Sequence, residues 1–226
     1  MKRIKIFVLA LLLIGTSCVA GCGYNIKDEM VNNLSDIRYN LFEAKTLDLR
    51  VTLMCGLREE PYDYNGVSNA KVEFGVISVH FSNLAERETY DFNLKVNDKD
   101  FSGELEKNPY NHNFMADIES LVNDDAQIYL SIESIENELM LVCINKNWQI
   151  QYQDALEIAT VQLEEEAKKF FQKRKFAAEC YLKILYDENS DLDTYLWYFG
   201  IEGQDKKRIS LVIDVHSGDI LAKNYE

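Results

Sequence analysis

Apolar and polar positions along this chain follow three regimes, and the first change of period falls near residue 46. Before it, Met30, Leu34, Ile37, Leu41 and Ala44 recur at spacings of four, three, four and three, the stripe that an amphipathic helix shows along one face. The spacing predicts a helix within residues 22–45 whose apolar side lies on the domain that follows. The repeat is too short for a coiled coil.

From Leu47 to Ile150 the period is two. Tyr90, Phe92, Leu94 and Val96 alternate with Asp91, Asn93 and Lys95, and Ile128, Leu130 and Ile132 repeat the pattern, so these strands have one dry and one wet face. The run Leu139–Ile144 has no polar face and reads as a central strand buried on both sides. Turn-forming residues separate the strands at Asp63–Gly66, Asn97–Asp100 and Asn108–Asn113,. Roughly seven short strands in about 100 residues suggest a β-sandwich over 46–150, immunoglobulin-like by architectural analogy.

The third regime opens at Asp154, where Glu157 three residues later makes a capping-box pattern,. Leu156, Ala159, Leu163, Ala167 and Phe170 give the buried stripe of a helix predicted to end near Ala178,. Strands follow at Cys180–Tyr186, Thr194–Ile201 and Arg208–His216, and a short one comes after the Ser217-Gly218-Asp219 turn,. The fold class expected is therefore α+β: an N-terminal amphipathic helix, an antiparallel β-sandwich, and over 151–226 a helix packed on an antiparallel sheet.

The leader decides where such a protein would reside. Lys2, Arg3 and Lys5 precede nine consecutive apolar residues, Ile6–Ile14. That is the pattern of a secretory signal, far below the roughly 20 residues needed to span a bilayer. Val19, Ala20 and Gly21 then run directly into Cys22, which resembles the bacterial lipobox. The resemblance implies removal of residues 1–21, acylation of Cys22 and a lipid tether at the extracytoplasmic face of the cell membrane. Two or more acyl chains hold stably where one does not.

A second resemblance lies at the other end. The phrases DALEIA at Asp154–Ala159 and IDVHSGDIL at Ile213–Leu221 resemble the opening and closing of PepSY-like domains, over residues 153–224. The resemblance implies a non-catalytic module of the kind suspected of restraining peptidases or regulating envelope enzymes.

Composition narrows the partners. The net charge of −14, with 38 acidic residues against 24 basic, argues against nucleic acid and against lying flat on anionic lipid. His80, His112 and His216 stand far apart and form no metal-spaced pair or hydrolase motif,. Asp187, Asn189, Asp191 and Asp193 alternate in a calcium-like way, yet the loop has Leu192 and Tyr198 where an EF-hand needs Gly and Glu,. No metal or other cofactor is expected. Beyond Cys22 only Cys55, Cys143 and Cys180 occur. One bridge is possible, but the apolar surroundings of Cys143 and Cys180 favour buried free thiols. In the stretch Cys55–Gly66, Arg58, Tyr62 and Tyr64 combine the residue types enriched where proteins grip partners,. They are the candidate interaction patch. The expected function is that of a tethered, non-catalytic binding or regulatory module contacting an envelope protein. The alternative is an envelope hydrolase or thiol enzyme, with Cys55 as its nucleophile.

Overall fold

A computed structural model describes residues 25–62, 69–82, 87–187 and 194–226. Helix α1 (Ile26–Asn32) leads into β1 (Leu34–Lys45), β2 (Leu49–Glu59), β3 (Lys71–Phe81), β4 (Thr89–Val96), β5 (Lys99–Lys107), β6 (Phe114–Ile118), β7 (Ile128–Ile132) and β8 (Leu139–Cys143). A single 3₁₀ turn, Asn145–Asn147, connects these to α2 (Tyr152–Gln162) and α3 (Glu164–Ala167). A small ribbon, β9 (Phe171–Gln172) and β10 (Lys175–Phe176), precedes a meander of β11 (Ala178–Asp187), β12 (Thr194–Gly203), β13 (Arg208–Asp214) and β14 (Ile220–Tyr225).

The first eight strands do not form a sandwich. They pair in the order β1-β2-β3-β6-β5-β4-β7-β8, and β8 returns to β1 through Phe42 opposite Cys143 and Glu43 opposite Val142. Every neighbour in this ring is antiparallel, so the sheet closes into an eight-stranded barrel and leaves no edge within the ring. The interior is filled by side chains such as Phe42, Leu53, Ile77, Leu94, Leu105 and Leu130, all fully buried. Strand β4 shows how the pattern produces this: Tyr90, Phe92, Leu94 and Val96 are buried while the residues between them are exposed.

The meander continues the same hydrogen-bonded sheet, so the chain is mostly β and not the expected α+β arrangement of a sandwich followed by a separate helix-on-sheet unit over 151–226. Leu34–Ile37 of β1 pair in parallel with Cys180–Leu182 of β11, giving a twelve-stranded order that runs from β14 through β11 to β1 and on around the barrel. A second core gathers Leu34 and Leu41 from β1, Ala155, Ala159 and Leu163 from the helical segment, and Trp197 from β12.

Three further expectations are corrected. Residues 34–45 form a strand, not the rear of an amphipathic helix, and the helix before them covers only seven residues. The register of β1 is irregular between Leu34 and Asp36 and between Arg38 and Asn40. Its apolar residues also serve two cores, Phe42 one and Leu34 and Leu41 the other. A strand with interrupted alternation and dry neighbours on two sides spaces its apolar residues at threes and fours, as a helix does. Strand β8 is not buried on both faces, because Met140 and Val142 point out of the barrel and are 59% and 53% exposed. The second helix starts earlier than its pattern indicated: Gln151 is the N-cap, Asp154 takes the N3 role by accepting from the Gln151 amide, and the helix stops at Gln162.

Candidate binding clefts

Strand β1 is shared by barrel and meander, and a cleft opens at each end of this junction. The first, of about 360 Å³, lies between the outer face of the barrel and the β11–β12 hairpin. Its barrel side is set by register. Lys45 of β1 stands opposite Arg50 of β2, which stands opposite His80 of β3. All three are on the wet side of strands whose alternate residues fill the barrel. Its other wall is Tyr186 and Tyr195, themselves cross-strand partners with ring centroids 5.0 Å apart.

Arg50 ties the two walls together. Its Nε donates to Glu43 Oε1 at 2.5 Å and its Nη2 to the Tyr195 hydroxyl at 2.6 Å, and its guanidinium lies 3.6 Å from the Tyr186 ring centre. The Tyr195 hydroxyl in turn donates to Glu43 Oε1 at 3.1 Å. Burial pushes the Tyr195 phenol far above its ordinary pKa, the Glu43 carboxylate pushes it further and Arg50 opposes, so Tyr195 stays a protonated donor. Opposite, His80 Nδ1 and Asn113 Oδ1 are 3.0 Å apart, and Asn113 Nδ2 donates to Ser78 Oγ at 3.4 Å.

The second cleft, of about 540 Å³, lies between the far end of β2 and the face of the meander formed by Tyr181, Lys183, Tyr198 and Arg208. Arg58 and Tyr62, two residues of the expected interaction patch, line it. Arg58 pairs with Asp117 at 3.0 Å and lies 5.0 Å from the ring centre of Phe74, which Arg38 approaches at 5.3 Å. Tyr62 is 62% exposed. Tyr181 and Tyr198 stack with centroids 5.9 Å apart. Gly200, opposite Tyr181, makes this possible: a Cβ there would sit 2.3 Å from the Tyr181 ring. Asp36 receives both Arg38 at 3.2 Å and Lys183 at 3.7 Å.

The structure brings Arg58 and Tyr62 to one groove; Tyr64 lies outside the described residues, as do Cys22 and residues 188–193 of the loop considered for calcium. Among the described residues no group of three or more His, Cys, Asp or Glu is arranged to hold a metal ion, and no helix is long and apolar enough to cross a membrane. Cys55, Cys143 and Cys180 are free, buried thiols. Burial is the main cause that lifts each of them, Cys55 to about 12. Sequence reasoning missed Arg50, Glu43 and Tyr186. Their signal was weak: polar residues at the wet positions of alternating strands look like ordinary surface until pairing places them together.

No protein-family model matches this chain, and no characterised protein or solved structure matches it either.

Proposed function

We propose that this protein is a non-catalytic binding module, tethered by lipid on Cys22 at the extracytoplasmic face of the cell membrane, that grips a protein partner through the groove lined by Arg58, Tyr62, Tyr181 and Tyr198. The supporting observation is the groove itself. Tyrosine and arginine supply large contact area with a polar tip, and here three tyrosines and three cations surround one concavity whose carboxylates are mostly engaged in ion pairs. The tether rests on the leader sequence, and an acylated body with net negative charge would stand off an anionic lipid surface instead of lying on it. The PepSY-like phrases suggest that the partner is a peptidase or another envelope enzyme held in check. Buried thiols with raised pKa weigh against the thiol-enzyme alternative, since the thiolate is the nucleophile.

The test is a photo-crosslinking amino acid placed at Tyr62 in intact cells, with the same probe at Tyr110, 93% exposed and outside the groove, as control. The expected outcome is a discrete adduct from position 62 that weakens with Tyr198→Ala and is absent from position 110. Equal labelling at both positions removes the groove from consideration. In parallel, labelled palmitate should enter the wild type and not Cys22→Ser; incorporation that survives the substitution removes the tether.

A further inference from the structure

We infer that the barrel wall between β5 and β6 is a docking slot for an extended basic segment of a partner protein, which pairs along β5 as an added strand and sets Lys or Arg residues beside Glu104, Glu106 and Glu119. The slot is separate from the groove at Arg58 and Tyr62 and does not depend on it.

The ring leaves no strand at an edge, but this one seam is short. β5 pairs with β6 only through Glu106 opposite Met115 and Lys107 opposite Phe114. On its other side it pairs with β4 from Lys99 to Glu106. Among the described residues Phe101–Leu105 therefore have a neighbouring strand on one side only. Successive residues of an antiparallel strand direct their N–H and C=O groups to opposite sides, so this stretch of about 17 Å turns part of its backbone donors and acceptors towards β6 without reaching it. Between the strands lies an opening of about 760 Å³, lined by Phe101, Gly103 and Glu104 on one side and Ala116, Ile118 and Glu119 on the other.

Exposure follows the parting of the strands. Phe101, Gly103 and Leu105 stand opposite Leu94, Phe92 and Tyr90 of β4, all buried, so the three belong to the inward side of β5. Leu105, beside the closed pairs, is buried, whereas Phe101 is half-buried and Gly103 exposed. A Cβ on Gly103 would meet only the Phe92 ring, at 3.1 Å, so the missing side chain leaves room over an apolar floor of Phe92 and Ile118 for a small inward residue of an added strand.

Charge selects the occupant. Glu104, Glu106 and Glu119 are exposed and make no ion pair among the described residues, and Glu104 stands directly opposite Asp91, likewise without one. Directly opposed like charges repel, and a cation between them removes that cost. Asp117, also at the slot, is already met by Arg58 and adds little. A second copy of this chain would bring the same carboxylates to the seam and be repelled, whereas a basic strand is attracted. Residues of an added strand alternate between faces: outward ones lie beside the glutamates and inward ones over Phe92 and Gly103. The segment that fits thus alternates Lys or Arg with small apolar residues, its backbone supplying affinity and its alternate side chains specificity.

Fluorescence anisotropy on the full-length protein in non-ionic detergent tests this with a labelled heptapeptide, Lys-Val-Lys-Val-Lys-Val-Lys. Its comparisons are the same peptide with glutamate for lysine, and two forms N-methylated at the valines or at the lysines, which keep the charge and lose backbone donors. Saturable binding of the lysine peptide is expected, weakened by added salt and absent for the glutamate peptide, with at least one methylated form weaker by about tenfold or more. Glu104→Gln combined with Glu119→Gln, both at exposed positions, should weaken binding several-fold, while Tyr62→Ala leaves it unchanged. Hydrogen exchange of residues 101–105 should slow when the lysine peptide is bound. No saturable binding, equal binding of both methylated forms and the parent, indifference to the Glu104 and Glu119 changes, or unaltered exchange at 101–105 overturns the assignment. Loss of binding with Tyr62→Ala would move the peptide to the other groove and overturn it as well.

Discussion

The side-chain carbonyl of Asn145 accepts a hydrogen bond from the backbone amide of Leu41 at 2.8 Å, taking a place on β1 that a neighbouring strand would otherwise fill. Its amide nitrogen donates to the Tyr39 carbonyl at 2.7 Å. These two backbone groups fall where β1 has finished pairing with β11, at Ile37, and not yet begun pairing with β8, at Phe42. One buried side chain thus bridges the gap between barrel closure and the meander. Buried backbone groups need partners, and Asn145 is the residue that provides them here.

Asn145→Ala is accordingly expected to destabilise the fold by about 2–4 kcal/mol, since an unpaired buried donor or acceptor costs about 1–3 kcal/mol. Asn145→Asp keeps the acceptor for Leu41 but sets a carboxylate oxygen against the Tyr39 carbonyl, so it should also destabilise. Urea unfolding of both variants measures this. An alanine variant within about 0.5 kcal/mol of wild type would show that the seam closes without Asn145.

Two glycines in the barrel wall should respond very differently to the same added methyl. A Cβ on Gly56 would lie 2.0 Å from the Ile37 carbonyl oxygen, a backbone atom of the paired strand, so Gly56→Ala has to part β1 from β2. A Cβ on Gly103 would meet only the Phe92 ring edge at 3.1 Å, and a ring can turn slightly aside. Overpacking costs typically 1–3 kcal/mol and occasionally more. Gly56→Ala is placed at about 3 kcal/mol or beyond and Gly103→Ala below it. Thermal melts of the two variants in parallel decide this; equal midpoints would contradict the steric account.

How much of this was legible depends on whether the determining contact is local. The strand Thr89–Val96 could be read residue by residue, because its alternation is uninterrupted and each inward side chain meets the barrel core. The Asn97–Asp98 connection to β5 was signalled by turn chemistry, with Asn97 at positive φ,. Barrel closure could not be read, for it depends on Phe42 finding Cys143 about a hundred residues away, and the same alternating strands serve a sandwich equally well. Strand β1 was misread because its two bulges and its two cores imitate a helical stripe. Arg58 and Tyr62 stood out by composition in a turn-rich stretch. Arg50 did not, since its importance comes from Glu43, Tyr186 and Tyr195, two of which lie some 140 residues away.

The three thiols of the folded body should resist alkylation. Cys55 and Cys180 are fully buried and Cys143 nearly so, and burial raises each thiol's pKa, which depletes the reactive thiolate at neutral pH. In a Cys22→Ser protein freed of its leader, iodoacetamide counted by mass spectrometry should add nothing under native conditions over minutes and three groups after denaturation. Rapid native labelling of Cys55 would reopen the thiol-enzyme reading.

The last strand should be the part of the fold most sensitive to acid. Lys223 of β14 donates to Glu166 at 2.5 Å, and the Tyr225 hydroxyl donates to the same oxygen at 3.0 Å, pinning the edge strand to α3. The Lys223 hydrogen bond is the largest cause that holds the Glu166 carboxyl below its ordinary pKa. Asp214, at the β13–β14 turn, is lowered in the same direction, chiefly by the Ser217 amide. A carboxylate whose folded pKa is depressed contributes stability above its unfolded pKa and loses it as pH falls through the folded value. Between pH 6 and about pH 3, below the unfolded Glu value of about 4.3, β14 should therefore loosen while the buried β11 and β12 persist. Hydrogen exchange followed by mass spectrometry, corrected for intrinsic rates, should show protection of residues 220–225 dropping before that of 178–187. Glu166→Gln should start less protected and respond less to acid. Protection of β14 that stays constant across this range would mean that packing of the strand on β13, and not the Glu166 pair, holds it in place.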